Sequence, residues 1–75
     1  MRNCYKHESR IGPFYIAEHE GRFHPVFKGD SLGSYQNAQQ AVDDLAGGHT
    51  FSPDSGDVDI SRLDIPFDLS EWERI

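Results

Sequence analysis

Residues 21–48 read GRFHPVFKGDSLGSYQNAQQAVDDLAGG, and this stretch predicts most of the fold. Its first part alternates from residue 22 to residue 28, as expected of a β-strand. One side carries the apolar set Phe23, Pro25 and Phe27, and the other carries Arg22, His24, Val26 and Lys28. Because proline has no N–H for a ladder, Pro25 places this strand at a sheet edge or at a bulge.

The second part of the stretch predicts an amphipathic helix. Asn37 is a suitable N-cap, and Gln40 follows it at the spacing of a capping box. The apolar residues then recur at i, i+3, i+4 and i+7 as one stripe, Ala38, Ala41, Val42 and Leu45. Gly47 and Gly48 end the helix, since glycine readily takes the left-handed conformation at a C-terminus.

Two further strands flank the first. Residues Pro13–Glu18 alternate in the same way, and Gly21 closes a short connection to the next strand. Beyond Gly29 and Asp30, residues Ser31–Tyr35 predict a short third strand. The sequence therefore predicts an α+β fold in which one helix packs on a three-stranded antiparallel meander. The expected core consists of Phe14, Ile16, Phe23, Phe27, Leu32, Val42 and Leu45.

The two ends of the chain carry weaker signals. Residues 1–11 show no clean period and are expected to form an arm or an edge strand. Residues 49–75 are expected to form a loop and a docked tail, with a helical turn at Ser61–Asp64 and a short final helix from Leu69. Asp68 is its expected N-cap, with Glu71 at capping-box spacing. We expect one small domain over residues 1–75, with the strands and helix at residues 13–48.

Charge is distributed unevenly along the 75 residues. The net charge is −6, but residues 1–28 carry +2 and residues 29–75 carry −8. An acidic second half repels phosphate backbones unless it faces away from them. The single cysteine, Cys4, and the absence of an apolar leader or an 18-residue apolar run predict a cytoplasmic location.

No catalytic or metal-binding pattern has the required spacing. Cys4 and His7 form one close pair, but His24 and His49 do not form the second close pair typical of zinc sites. The aspartates of residues 54–59 do not fit a calcium-binding EF-hand loop, because Arg62 and Asp68 then occupy its glycine and glutamate positions. A nucleophile elbow and a glycine-rich phosphate loop are also missing. We therefore expect no enzyme activity, no metal and no cofactor.

A basic patch is the first of two candidate binding surfaces. Arg22, His24 and Lys28 recur at even spacing and are expected to project from one face of the sheet. Residues 21–45, with GRFHPVF, LGSY and NAQQAVDDL, resemble the AP2 and integrase N-terminal type of DNA-binding domain. The resemblance implies a three-stranded sheet that contacts DNA with its exposed face. It also implies that these three basic residues are the contacts.

The second candidate surface is the acidic and aromatic C-terminal segment with Phe67 and Trp72. Tryptophan is enriched at interface hot spots, and surrounding acids attract a basic partner. The leading prediction is a small binding module that contacts a protein partner or a second copy of itself. Nucleic-acid binding through the sheet is the alternative. A third reading also fits the charge, an acidic DNA mimic of bacterial or phage origin that inhibits a nucleic-acid-binding protein.

Overall fold

The computed structural model of the chain describes residues 2–49 and 62–75. These residues form a five-stranded antiparallel sheet with a nine-residue helix packed on one face. The strands are β1 (Arg2–Ser9), β2 (Gly12–His19), β3 (Arg22–Phe27), β4 (Asp30–Ser31) and β5 (Glu73–Arg74). Their spatial order is β4-β3-β2-β1-β5. The α+β class is confirmed, and the predicted three-stranded meander was incomplete.

Two tight turns fix the register of β3. Glu20 and Gly21 connect the paired residues His19 and Arg22, and both have positive φ, 52° and 78°. Lys28 and Gly29 do the same between Phe27 and Asp30, with φ of 50° and 84°. Two-residue hairpin turns with positive φ match the right-handed twist of the strands. The prediction that Lys28 belongs to the strand was therefore wrong, because it lies in the turn.

The N-terminal segment, expected to be an arm or an edge strand, forms strand β1. Strand β1 pairs with β2 along its length and lies between β2 and β5. Its inward side carries Tyr5 and His7, opposite Ile16 and Phe14. The sequence signal was weak because histidine is not counted as apolar and because a bulge between Asn3 and Tyr5 shifts the register.

The predicted third strand is much shorter than expected. Only Asp30 and Ser31 form a strand beside β3, and the chain then bends before it returns to β3 at Tyr35. There Tyr35 exchanges two backbone hydrogen bonds with Phe23, of 2.8 and 2.9 Å. The segment from residue 30 to residue 35 therefore lies along the outer edge of β3 and covers much of it.

Helix α1 spans Ala38–Ala46 and agrees with the prediction. The Asn37 side chain accepts a hydrogen bond of 2.9 Å from the Gln40 N–H, as expected of an N-cap. At the other end Gly48 has φ of 77°, while its N–H donates to Leu45 and that of His49 donates to Asp44. These bonds form a Schellman-type ending, in which a glycine takes the left-handed position.

The core lies between α1 and the face of the sheet that we call the helix face. All seven predicted core residues contribute, with Phe23 only half buried, and the rings of Phe14 and Phe27 stack with their centroids 4.5 Å apart. The tail completes this core with Leu63, Ile65 and Trp72. The tail is therefore docked on the domain, as predicted.

The predicted final helix is a single 3₁₀ turn, Leu69–Glu71. Asp68 caps it through a 2.9 Å hydrogen bond from the Ser70 N–H. Trp72 then takes an extended conformation and leads into β5, which ends the helical geometry. The helical turn predicted at residues 61–64 lies partly outside the described residues. In the described ranges, no helix has the length and apolar character needed to cross a membrane.

Candidate binding surfaces

Two of the predicted basic contacts stabilise the bend that follows β4. The Arg22 guanidinium donates to the hydroxyl and the carbonyl oxygen of Ser34. The Nδ1 of His24 lies 2.9 Å from the carbonyl oxygen of Gly33. A carbonyl only accepts hydrogen bonds, so Nδ1 carries the proton in this contact. Both side chains therefore have a structural task in holding residues 31–34 against β3.

Lys28 does not join Arg22 and His24. Alternation along β3 places Arg22 and His24 together on the side of the sheet opposite α1, which we call the far face. Lys28 lies in the turn beyond the strand, and its Nζ is 5.3 Å from the centroid of the Phe27 ring. The structure thus brings two of the three predicted basic residues together and separates the third.

At the centre of the far face, the charge of Lys6 is paired with that of Glu8. A row of residues crosses the sheet there, Ser31, Val26, Tyr15, Lys6 and Glu73. The Lys6 Nζ lies 3.2 Å from a carboxylate oxygen of Glu8. The hydrogen bond and the charge of Glu8 raise the pKa of Lys6 above its usual value, and Tyr15 and Glu73 act in the same direction. The positive charge of Lys6 is therefore balanced by the neighbouring carboxylate of Glu8 on the sheet surface.

The two aromatic residues of the tail have different environments. Trp72 is only 4% exposed, and its ring centroid is 5.5 Å from that of His7. Its indole N–H donates to the carbonyl oxygen of Pro66 over 3.2 Å, which satisfies the polar atom of a buried ring. Phe67, in contrast, is 60% exposed. Trp72 packs in the core in this conformation, and Phe67 is available to another molecule.

Gln39 fixes the backbone on which Phe67 is presented. Its side-chain N–H group donates to the Phe67 carbonyl oxygen over 2.7 Å and to Asp43 over 2.8 Å. Its side-chain oxygen accepts from the Leu69 N–H over 3.4 Å. The tail is therefore attached to α1 on both sides of Asp68. We use the name Phe67 surface for four exposed residues of the tail and α1, namely Phe67, Asp43, Asp68 and Glu71.

Three carboxylates, those of Asp43, Asp68 and Glu71, belong to the Phe67 surface. Hydrogen bonds from the backbone and then the side chain of Ser70 lower the pKa of Asp68 below its ordinary value. Asp43 and Glu71 are exposed as well. An exposed aromatic ring is thus accompanied by negative charge.

A recess of about 360 Å³ lies at the end of the sheet beside β5. Its lining includes Cys4, Tyr5, Phe23 and Arg74, together with the ion pair of Arg2 and Glu18. We call it the β5 recess. The sequence did not reveal it, because its residues come from β1, β2, β3, α1 and the segment of β5 and Ile75, and they form no local motif.

The metal-ligand candidates are dispersed within the part of the chain that the structure describes. No three His, Cys, Asp or Glu side chains gather there at a distance suited to one ion. His7 pairs with Phe14 on the helix face, whereas His24 pairs with Ala17 on the far face. The sheet itself therefore separates these two imidazoles. The aspartates of residues 54–59 lie outside the described residues.

Comparison with protein-family models, with curated proteins and with solved structures finds no match. The resemblance of residues 21–45 to a DNA-binding domain therefore stays a prediction.

Proposed function

We propose that this protein is a small non-catalytic binding module whose Phe67 surface engages a protein partner. The observation that carries the proposal is the 60% exposure of Phe67 in a chain whose other phenylalanines in the described residues are buried or half buried. Aromatic residues in desolvated pockets commonly anchor interfaces. The partner is expected to offer an apolar pocket for this ring.

The attachment of the tail favours binding by a preformed surface. Gln39 bonds to the backbone at Phe67 and Leu69, and Trp72 anchors the following turn in the core. Ordering a flexible segment on binding costs free energy, and a surface that is already ordered avoids most of that cost. The loop that carries Phe67 is thus suited to recognition without refolding.

Electrostatics favours a basic partner over a second copy. Asp43, Asp68 and Glu71 give the surface a negative charge, and residues 29–75 carry −8 overall. Two identical copies meeting at this surface would oppose carboxylate to carboxylate, which is unfavourable. Lysine or arginine side chains around the apolar pocket of a partner would instead be attracted and would speed association at low salt.

The test compares three forms of the protein, namely wild type, Phe67→Ala and Ile11→Ala. Ile11 is the matched control, because it is also an exposed apolar residue but lies in the β1–β2 turn. Each form is immobilised and exposed to a lysate of the native source, and retained proteins are identified and purified. Their affinity is then measured by calorimetry at low and high salt.

The expected result is a partner whose affinity falls by about 30-fold or more with Phe67→Ala, the loss typical of a hot-spot residue. Its affinity should remain unchanged with Ile11→Ala and should weaken as salt increases. Equal affinity for all three forms would exclude the Phe67 surface as the binding site.

The same measurements, with Arg22→Glu and Lys28→Glu as further variants, distinguish the alternative functions. Salt-dependent binding to duplex DNA that is lost on Arg22→Glu and Lys28→Glu would favour the nucleic-acid reading. A concentration-dependent dimer in sedimentation that is lost with Phe67→Ala would show that a second copy of the protein binds at the Phe67 surface. A partner that is displaced by duplex DNA would favour the DNA-mimic reading.

A further inference from the structure

Strand β5 separates its two charged side chains between the faces of the sheet. Glu73 pairs with Lys6 on the far face, whereas Arg74 pairs with Tyr5 on the helix face. Successive side chains of a strand point to opposite faces, so this arrangement follows from the register alone. Arg74 therefore lines the β5 recess, whereas the carboxylate of its neighbour Glu73 lies on the opposite face of the sheet.

The other charged side chains that line the recess are already paired. The Arg2 Nη2 lies 2.8 Å from the Glu18 Oε1, so these two residues neutralise each other. Arg74 forms no ion pair or side-chain hydrogen bond with any residue in the ranges 2–49 and 62–75. Among the side chains that line it, the recess thus retains one positive charge, that of Arg74, in a protein whose net charge is −6.

Two aromatic residues line the recess together with Arg74. Tyr5 and Phe23 are half buried and pack against the core, so their positions are fixed from below. The volume of about 360 Å³ is near the lower end of the range for small-molecule sites. A fixed aromatic lining beside a guanidinium suits a ligand that is apolar at one end and anionic at the other.

We propose that the β5 recess binds a carboxylate through Arg74, with the apolar or aromatic body of the ligand against Tyr5 and Phe23. Arginine is suited to this task because its planar fork donates two parallel hydrogen bonds to one carboxylate. The carboxylate belongs either to a small free acid or to the C-terminus of a peptide, which share this chemistry. The site uses none of the residues of the Phe67 surface and goes beyond the function proposed there.

The experiment is an NMR titration of the whole chain with 3-phenylpropanoate. The uncharged amide of the same acid is the ligand control, since it keeps the shape and removes the charge. The protein variants are Arg74→Gln and, as a matched control, Lys28→Gln, which removes an exposed cation far from the recess. Arg74→Lys keeps the charge but loses the planar fork.

We expect saturable shifts of the amide signals of Cys4, Tyr5 and Phe23 at ligand concentrations up to about 10 mM. Arg74→Gln should weaken binding by about tenfold or more, Lys28→Gln should leave it unchanged, and Arg74→Lys should lie between wild type and Arg74→Gln. The amide analogue should bind more weakly than the acid. Unchanged Trp72 emission in each variant would show that the tail remains docked.

Cys4 offers an independent readout of the same recess. It is the single cysteine of the chain and lines the site, so its reaction with a thiol reagent reports on occupancy. Bound 3-phenylpropanoate should slow this reaction in wild type and much less in Arg74→Gln.

A tripeptide ending in a phenylalanine carboxylate, compared with its amide, identifies the source of the carboxylate. Tighter binding of this peptide than of 3-phenylpropanoate would indicate a peptide C-terminus, and weaker binding would indicate a small acid. No saturable shift with either probe, or equal affinity in wild type and Arg74→Gln, would overturn the proposal.

Discussion

Replacing Phe27 by alanine is the most direct test of how the sheet and helix share one core. Phe27 is 1% exposed and stacks on Phe14 with 4.5 Å between ring centroids. Deleting a buried phenylalanine side chain costs about 3 to 5 kcal/mol, because the cavity relaxes only in part. A 75-residue domain has a total stability of roughly 4 to 11 kcal/mol, so this single change removes a large share of it.

Urea denaturation followed by tryptophan fluorescence measures this loss. Trp72 is the single tryptophan and belongs to the same core cluster, so its emission reports on the unfolding of that core. With a slope of about 1 kcal/mol/M, the midpoint should fall by about 3 M or more. Phe67→Ala is the control, because it deletes the same side chain at an exposed position and should shift the midpoint by less than about 1 M.

A milder variant covers the case in which Phe27→Ala does not fold. Phe27→Leu keeps an apolar side chain and should cost about 1 to 2 kcal/mol, mainly through the lost ring stacking and a smaller cavity. A midpoint for Phe27→Ala equal to that of wild type, with a folded spectrum, would refute the assignment of Phe27 to the core and of the helix face to the interior.

Two further predictions concern Tyr35, whose ring lies close to Gly33 and to Asp44 of α1. Burial, and then a hydrogen bond with Asp44, raises the pKa of Tyr35 to about 12, so the folded state favours the neutral phenol. This contribution to stability is complete below the unfolded pKa of about 10 and is lost as pH rises towards 12. The unfolding free energy, measured by denaturation at about pH 9 and about pH 11, should therefore fall with pH in the wild type and fall less in Tyr35→Phe. An equal fall in both proteins would contradict this prediction. Gly33→Ala would place a Cβ 2.8 Å from the ring carbon Cε2 of Tyr35 and should destabilise the fold by about 1 to 3 kcal/mol, measured as a lower thermal midpoint. Gly29→Ala, whose added Cβ would meet no atom within 4 Å, separates this clash from the general cost of replacing a glycine in a turn.

The sequence by itself determined the elements whose signals are local. The alternation before and after residues 20 and 21 predicted β2 and β3, and the spacing from Asn37 to Gly48 predicted α1 with both of its ends. These signals are readable because side-chain period, capping hydrogen bonds and glycine conformations depend on residues only a few positions apart. Burial of Phe14, Ile16, Phe27, Val42 and Leu45 follows from the same periods.

Only the tertiary structure decided how the two ends of the chain are used. Strand β1 became an inner strand because β5 pairs with it at Tyr5 and Lys6, about 70 residues away in sequence. The docking of the tail also places Trp72 in the core, leaves Phe67 exposed and brings Arg74 to the β5 recess. A two-residue strand has no period of its own, and its position depends on long-range packing that no local pattern records. Both proposed binding surfaces depend on that packing, which is why the sequence predicted one of them only in part and missed the other.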